Sequence, residues 1–309
     1  MFCLNLKKLL SNFILIKEAS AITCHCFVPD NPVQKNHIDK PFTMNRKSFL
    51  KTAIIAGSTG SVAFALARPA SKKDVQKQQP QEFYELRIYS LKNMAQQKLV
   101  EDYFQDAAIP ALNKLGSKNV GVFTEMKPAD QTRIFVLIPF SSLDAYLKVQ
   151  DNLLKDQKYM QAGAAYLQAP IAEPAYERIE SSLLEAFKST PKLMLPEKKQ
   201  RFFELRRYES GSELFGKRKI EMFNEEGETE IFKKLDFKPV FFAETLIGEM
   251  RPNLTYMITF DSMEDHDAKW KSFGSNPDWK RISTMPKYPD KIVSHITSTF
   301  LLPAAYSQI

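Results

Sequence analysis

The chain has 309 residues, of which 44% are hydrophobic and 12% aromatic, enough for two compact domains of roughly 100–200 residues each. Its net charge of +7 belongs to the start of the chain, because nine of the 43 Lys/Arg and three of the 36 Asp/Glu precede residue 69. The rest of the chain holds 34 basic and 33 acidic residues. Because this balance leaves no excess of positive charge to bind a polyanion, we expect no nucleic-acid partner. All three cysteines precede residue 44, which excludes a disulfide, a thiolate metal site or a cysteine nucleophile from the body of the protein.

Residues 44–67 have the pattern of an export signal. Met44 begins the basic string MNRKSFLKT, an apolar stretch with Gly and Ser follows, and Ala65-Leu66-Ala67 forms a small-residue cleavage site. The string RKSFLK resembles the twin-arginine signal, with Lys47 in place of the second arginine. We therefore expect export to the bacterial periplasm or the extracellular space, with no membrane span after signal removal. The alternative is an uncleaved N-terminal anchor.

Two segments beside the signal have no predicted fold. Residues 1–43 precede a signal that is already complete, so we interpret them as a non-native or disordered extension from an over-extended gene start. Residues 68–82 are rich in Lys, Gln and Pro without apolar periodicity, which is typical of a solvated linker.

The body of the chain contains an internal repeat at an offset of about 119–120 residues. FYELRIY at 83–89 matches FFELRRY at 202–208, and IFVLIPF at 134–140 matches LTYMITF at 254–260. A shared order of landmarks over roughly a hundred residues indicates duplication. We place the first unit at 83–187, a linker at 188–200 and the second unit at 201–303.

Each unit predicts the order β-α-β-β-α-β. The strands are short and apolar, Gly227 predicts a break in the first helix of the second unit, and residues 248–253 have the composition of a turn. Ser262 with an acid nearby predicts the start of the next helix. This is the ferredoxin-like arrangement of the α+β class, with a four-stranded antiparallel sheet and both helices on one face.

The second unit resembles a known family. FFELRRY, KPVFFAETLIGE, GSNPDW and the closing ITSTFLLP are similar to a NIPSNAP domain of the dimeric α/β-barrel superfamily, and the first unit keeps the strand landmarks without GSNPDW. The resemblance implies that the two units pair their sheets into a barrel closed within one chain, as a monomer or within a homo-oligomer.

The first strand of each unit carries a Glu-Arg-Tyr triplet on one face and apolar residues on the other, because strand side chains alternate. We assign the apolar face to the helices, which directs the triplets into the barrel and predicts a polar cleft between the units. Its candidate ligand-binding residues are Glu85, Arg87, Tyr89, Glu204, Arg206, Tyr208, Glu244, Tyr256 and His295.

The triplets have two interpretations. In the first, Arg206 holds a carboxylate or enolate oxygen, Tyr208 donates a hydrogen bond, and Glu204 or Glu244 accepts a proton. In the second, the glutamates and arginines form buried ion pairs that fix the pairing of the two units.

Metal and cofactor binding have weak support from the sequence. The body contains only His266 and His295, with no second ligand at helical spacing, so we expect no metal and no cofactor. Haem is the exception worth naming, because relatives by fold use a barrel histidine for it and His295 lies on the last strand. His266 is predicted to be solvated. The aromatic residues Tyr256, Trp270, Phe273 and Trp279 pack in the core or stack on a planar ligand.

Phosphate loops, serine nucleophile elbows and paired-metal acid clusters are missing from the sequence. Two function classes remain. One is a module that binds a small molecule or a protein, which the NIPSNAP resemblance favours. The other is an enzyme of the cofactor-independent monooxygenase or isomerase type, suggested by superfamily relatives alone.

Overall fold

The computed structural model describes residues 79–127, 131–289 and 291–309. The proposed extension at 1–43, the signal at 44–67 and most of the linker at 68–82 lie outside these residues. Within the described part, the strands are β1 Phe83–Leu91, β2 Gly121–Glu125, β3 Thr132–Phe140, β4 Arg178–Ala186, β5 Phe202–Glu209, β6 Lys238–Ile247, β7 Asn253–Phe260 and β8 His295–Pro303.

These strands form one closed barrel in the order β1-β3-β2-β8-β5-β7-β6-β4, and neighbouring strands are antiparallel. Each unit contributes a contiguous sheet, β4-β1-β3-β2 from the first and β8-β5-β7-β6 from the second. The two predicted ferredoxin-like sheets are thus confirmed, and so is their closure into a barrel within one chain.

Two seams join the units. At one seam β2 pairs with β8, and the chain beyond β8 continues alongside β2 through backbone hydrogen bonds from Ala304 to Val122 and from Gln308 to Val120. At the other seam β4 pairs with β6, where the register shifts beside Leu183. A closed barrel leaves no sheet edge to solvent, so neither unit has its complete set of neighbours without the other.

The helices cover the outside of the barrel, and their starts follow from the sequence. Asn93, Ser142, Ser212 and Ser262 each accept a hydrogen bond from a backbone N–H in the first turn of the helix that they precede. The helices are α1 Met94–Asp102, α2 Ile109–Lys114, α3 Leu143–Leu154, α4 Gln157–Ala162, α5 Ala164–Leu167, α6 Glu213–Asn224, α7 Glu228–Lys234, α8 Met263–Ser275 and α9 Pro277–Ser283, and a π-helical stretch, Tyr103–Ala108, joins α1 to α2.

The predicted helix break in the second unit is present. Gly227 separates α6 from α7 with φ at 89°, a left-handed conformation that glycine adopts without steric cost. The corresponding helix of the first unit runs on through its π-helical stretch. No helix of the described residues is long and apolar enough to span a bilayer.

Three apolar clusters stabilise the protein. One fills the barrel interior with residues of both units, including Tyr84, Leu86, Phe203 and Leu205. The other two lie between the sheet and the helices, one in each unit. Both faces of the barrel wall are therefore buried, and this decides where the polar residues of the first strands point.

Candidate functional site

The Glu-Arg-Tyr triplets point towards the helices, so the prediction that they line the barrel interior is wrong. Tyr84 and Leu86 lie in the interior cluster, whereas Tyr89 and Tyr208 lie in the clusters beneath the helices. The physical reason is that alternation identifies the buried face only when the opposite face is solvated. Here the narrow interior of an eight-stranded barrel takes the apolar row, and helix side chains partner the polar one.

In the second unit the triplet forms a buried, hydrogen-bonded cluster around Glu204, which is 1% exposed. Its carboxylate is paired with Arg206 and accepts hydrogen bonds from Ser298 Oγ at 2.6 Å and Trp270 Nε1 at 3.1 Å. The Arg206 guanidinium also stacks over the Trp270 ring, 4.4 Å from its centroid. Three donors hold this carboxylate in place beneath the helices of its own unit.

The first unit repeats the arrangement with fewer partners. Arg87 donates to both oxygens of Glu85, at 2.7 and 2.8 Å, and Ser181 Oγ donates at 2.7 Å. The ion-pair interpretation therefore describes the triplets better than the ligand interpretation. Its detail was wrong, however, because each pair joins residues of one strand beneath the helices of its own unit and does not bridge the two units.

Three further candidates also lie away from the barrel interior. Tyr256 donates a 2.8 Å hydrogen bond to Tyr208 beneath the helices, and burial raises the pKa of both phenols. Glu244 lies on the outer face and pairs with Lys217 at 2.7 Å. His295 begins β8 with an exposed side chain, a position that does not fit a haem ligand, which lies inside an enclosed pocket.

His266 is not the solvated residue that its acidic neighbours suggested. Its side chain is 14% exposed, with Nε2 3.5 Å from Glu204 Oε2, and its ring packs edge-on against Phe260 and Phe300. Its role is to cover the Glu204 cluster. The described residues contain no group of three His, Cys, Asp or Glu placed to hold a metal ion.

The site that opens between the two units is a cavity of about 180 Å³ at one end of the barrel. It begins where the apolar filling of the interior stops. In each of the strands that contribute most to it, the inward-facing row changes along the strand from apolar to polar: Phe203, Leu205 and Arg207 on β5; Met257, Thr255 and Asn253 on β7; Leu301, Thr299 and Thr297 on β8; and Leu184, Ser182 and Glu180 on β4.

The polar wall of this cavity is ordered by Asn253, which is 4% exposed. Its Oδ1 accepts hydrogen bonds from Thr245 Oγ1 at 2.6 Å and Thr255 Oγ1 at 3.3 Å. Its Nδ2 donates to the backbone oxygens of Glu249 and Met250 in the β6–β7 turn. Because the hydroxyl groups of these threonines donate their hydrogen bonds to Asn253, their oxygens remain as acceptors facing the cavity.

Charged residues stand at the rim. Arg133 donates to Glu125 with Nε at 3.0 Å, and Arg207 donates to Glu209 with Nε at 3.1 Å. Glu180 and Glu249 line the cavity from exposed positions. Since each arginine is already paired with a glutamate, the rim has both hydrogen-bond donors and acceptors and no excess positive charge.

The sequence contained a signal for this site that our face assignment hid. FFELRRY has Arg207 in the row of Phe203 and Leu205, where FYELRIY has Ile88. A charged residue in an otherwise apolar row of a strand marks the position at which that row leaves the hydrophobic core. The predicted polar cleft between the units exists, but it is lined by the opposite face of the strands.

Comparison with known proteins gives a family and a set of related structures. The NIPSNAP family model matches residues 84–190 and 203–308. No protein of curated function matches the sequence significantly. A monooxygenase-like protein of Fusobacterium nucleatum is 13% identical with a TM-score of 0.48, over 72% of this chain and 93% of its own. A NIPSNAP family protein of Agrobacterium tumefaciens is 18% identical with a TM-score of 0.31, over 35% of this chain and 97% of its own.

Proposed function

The chain belongs to the NIPSNAP family, with two family domains in tandem, and from this premise we propose that it is a binding protein whose ligand occupies the cavity at the polar end of the barrel. The observation that supports the proposal is the change from apolar to polar residues along the inward rows of both units. Simple filling of a barrel needs apolar side chains to the end, and at the end that holds this cavity the inward rows of four strands become polar.

The lining favours a small, uncharged molecule with several hydroxyl groups. Thr245 and Thr255 present acceptors, Arg207 presents donors, and the exposed Glu180 would repel an anion. Leu86 and Leu205 at the inner end can pack against the C–H face of a ring. At about 180 Å³ the cavity is smaller than the roughly 300–1,000 Å³ typical of drug-sized ligands, which limits the ligand to about the size of a monosaccharide.

A calorimetric titration with D-glucose, D-ribose and myo-inositol tests this proposal, with cyclohexanol as the matched ring that has a single hydroxyl group. We expect saturable binding of at least one polyol and none of cyclohexanol. Thr255→Val should weaken that binding about five-fold, the value of one neutral hydrogen bond, and Arg207→Met about ten-fold or more. Thr284→Val, an exposed threonine remote from the cavity, is the control. If no polyol binds, or if both cavity variants bind like the control, the proposal is wrong.

We also propose that the protein acts after export. The support is the sequence of residues 44–67, with its basic start, its apolar stretch and its Ala65-Leu66-Ala67 site. In bacterial cells expressing the full chain, the mature protein should be recovered from the periplasm or the medium with an N-terminus near Arg68. Cytoplasmic protein that retains residues 44–67 would contradict export.

A further inference from the structure

A second pocket, of about 260 Å³, lies beneath the helices of the second unit and is separate from the barrel cavity. Its walls are mainly apolar and aromatic, and they come from β5, α6, α7, α8, α9, the segment after α9 and the start of β8. They include Met222, Phe273, Trp279, Tyr288 and Ile292. The charged residues of this wall are Lys219 and Glu228, which form an ion pair.

Lys219 and Glu228 form this pair almost entirely out of water. Their side chains are 4% and 2% exposed, and Lys219 Nζ donates to the two carboxylate oxygens of Glu228 at 2.9 and 2.7 Å. Burial raises the pKa of Glu228 against the attraction of the lysine. Desolvating two charges commonly costs as much as their attraction returns, and the Lys219 ammonium is further held over the rings of Phe223 and Trp279, with Nζ 4.8 and 4.9 Å from their centroids.

The first unit shows that the fold does not require the pair. The helix starts Asn93 and Ser212 are equivalent, which places Val100 at the position of Lys219, and the same offset places Ala108 or Ile109 at that of Glu228. Val100 and Ala108 are buried in the apolar cluster of their unit.

The first unit also fills the space that the second unit leaves open. Tyr103 stands at the position of Met222, and its hydroxyl lies 2.8 Å from that of Tyr159, which stands at the position of Trp279. The ring of Tyr166 stacks on Tyr103 with centroids 3.8 Å apart. The space between the sheet and the helices thus differs between the two units. In the first unit it is packed with tyrosines, and in the second it is open around a buried ion pair.

The charges define what the pocket can accept. Lys219 is neutralised by Glu228, so an ionic ligand would lose its hydration without gaining a counter-charge. Two of the three ammonium protons point to Glu228, which leaves one donor. The Tyr208 hydroxyl accepts a hydrogen bond from Tyr256 and keeps its own proton as a donor, and Tyr208 lines the same pocket. A carbonyl oxygen has two lone pairs and suits two donors.

We propose that this pocket binds a neutral, largely apolar aromatic ketone, with its carbonyl oxygen at Lys219 and Tyr208 and its rings against Trp279 and Met222. The site is distinct from the barrel cavity, so its test is independent of the polyol proposal.

Benzophenone is a suitable probe because it is a neutral diaryl ketone that also cross-links to neighbouring C–H bonds under ultraviolet light. Diphenylmethane is its match without the oxygen, and benzoylbenzoate is its match with a charge. With the full chain, saturation-transfer NMR should show benzophenone binding about ten-fold more tightly than either match, the value of the carbonyl hydrogen bonds. Irradiation followed by peptide mapping should place the cross-link on Met222 or a neighbouring wall residue.

Two variants test the assignment, and the first of them copies a residue of the first unit. Met222→Tyr fills the pocket as Tyr103 does and should reduce benzophenone binding by ten-fold or more. Lys219→Met combined with Glu228→Leu removes the polar group, and we expect it to bind benzophenone and diphenylmethane equally. If Met222→Tyr fails to fold, Ile296→Lys replaces a residue at the pocket mouth that is 46% exposed and should weaken both ligands. Equal binding of all three probes to the wild type, or cross-links outside this wall, would overturn the proposal.

Discussion

Arg206 and Arg207 are adjacent on β5 and point to opposite sides of the barrel wall, so replacing each with methionine separates stability from binding. Arg206 is paired with Glu204, and their side chains are 16% and 1% exposed. Removing one partner of a buried pair costs about 3–5 kcal/mol, because the remaining charge is left uncompensated. Arg207 and Glu209 are 30% and 18% exposed, and such a pair contributes about 0–1 kcal/mol.

For a folded unit of this size, 1 kcal/mol corresponds to about 2–4 °C in Tm. Arg206→Met should therefore lower Tm by roughly 6–20 °C, and Arg207→Met by less than about 4 °C. Circular dichroism melts of the two variants and the wild type at one protein concentration measure the difference. In polyol binding the order reverses, because only Arg207 lines the cavity. If the two variants melt within a degree or two of each other, the assignment of strand faces to the barrel wall is wrong.

Two further predictions concern other parts of the wall. Gly248, with φ at 150°, lies against Ser182 across the seam between the units, and an added Cβ would overlap that side chain. Gly248→Ala should therefore lower the free energy of unfolding by about 1–3 kcal/mol. The control Gly211→Ala, whose added Cβ has no neighbour within 4 Å, should be nearly neutral, and equal urea midpoints for the two variants would contradict the close approach. Burial raises the pKa of Tyr288 to about 12 and that of Tyr256 further. Because the unfolded phenols lose their protons first, the free energy of unfolding should fall as pH rises through about 10–12. Urea unfolding midpoints measured over this range test it, and a midpoint that stays constant would contradict it.

The fold was predictable because duplication and alternation are local properties of the sequence. The repeated strands, the break at Gly227 and the helix start at Ser262 all have a direct cause in residue type. The orientation of the strands was not predictable from alternation alone, because both faces of this barrel wall are buried. Glu204 belongs beneath the helices because Trp270 and Ser298 supply its partners there, and no pattern within β5 contains that information.

The candidate site could have been predicted from a comparison of the two units. Arg207 against Ile88 marks the polar end of the barrel, and Lys219 against Val100 marks the pocket beneath the helices. Both differences are substitutions of a charge for an aliphatic residue at equivalent positions of one fold. Burying a charge costs stability, and the first unit folds without a charge at either position. The charges of the second unit therefore point to a use of the site.

The two units have therefore diverged in a consistent direction. Closure of the barrel needs the sheets of both, and the seams at β2–β8 and β4–β6 hold them in one body. The first unit places the stacked Tyr103 and Tyr166 beneath its helices, where the second unit has its pocket. The second unit carries the open pocket and most of the polar lining of the barrel cavity. A packed partner that closes the barrel allows the other unit to keep buried polar groups that would destabilise it alone.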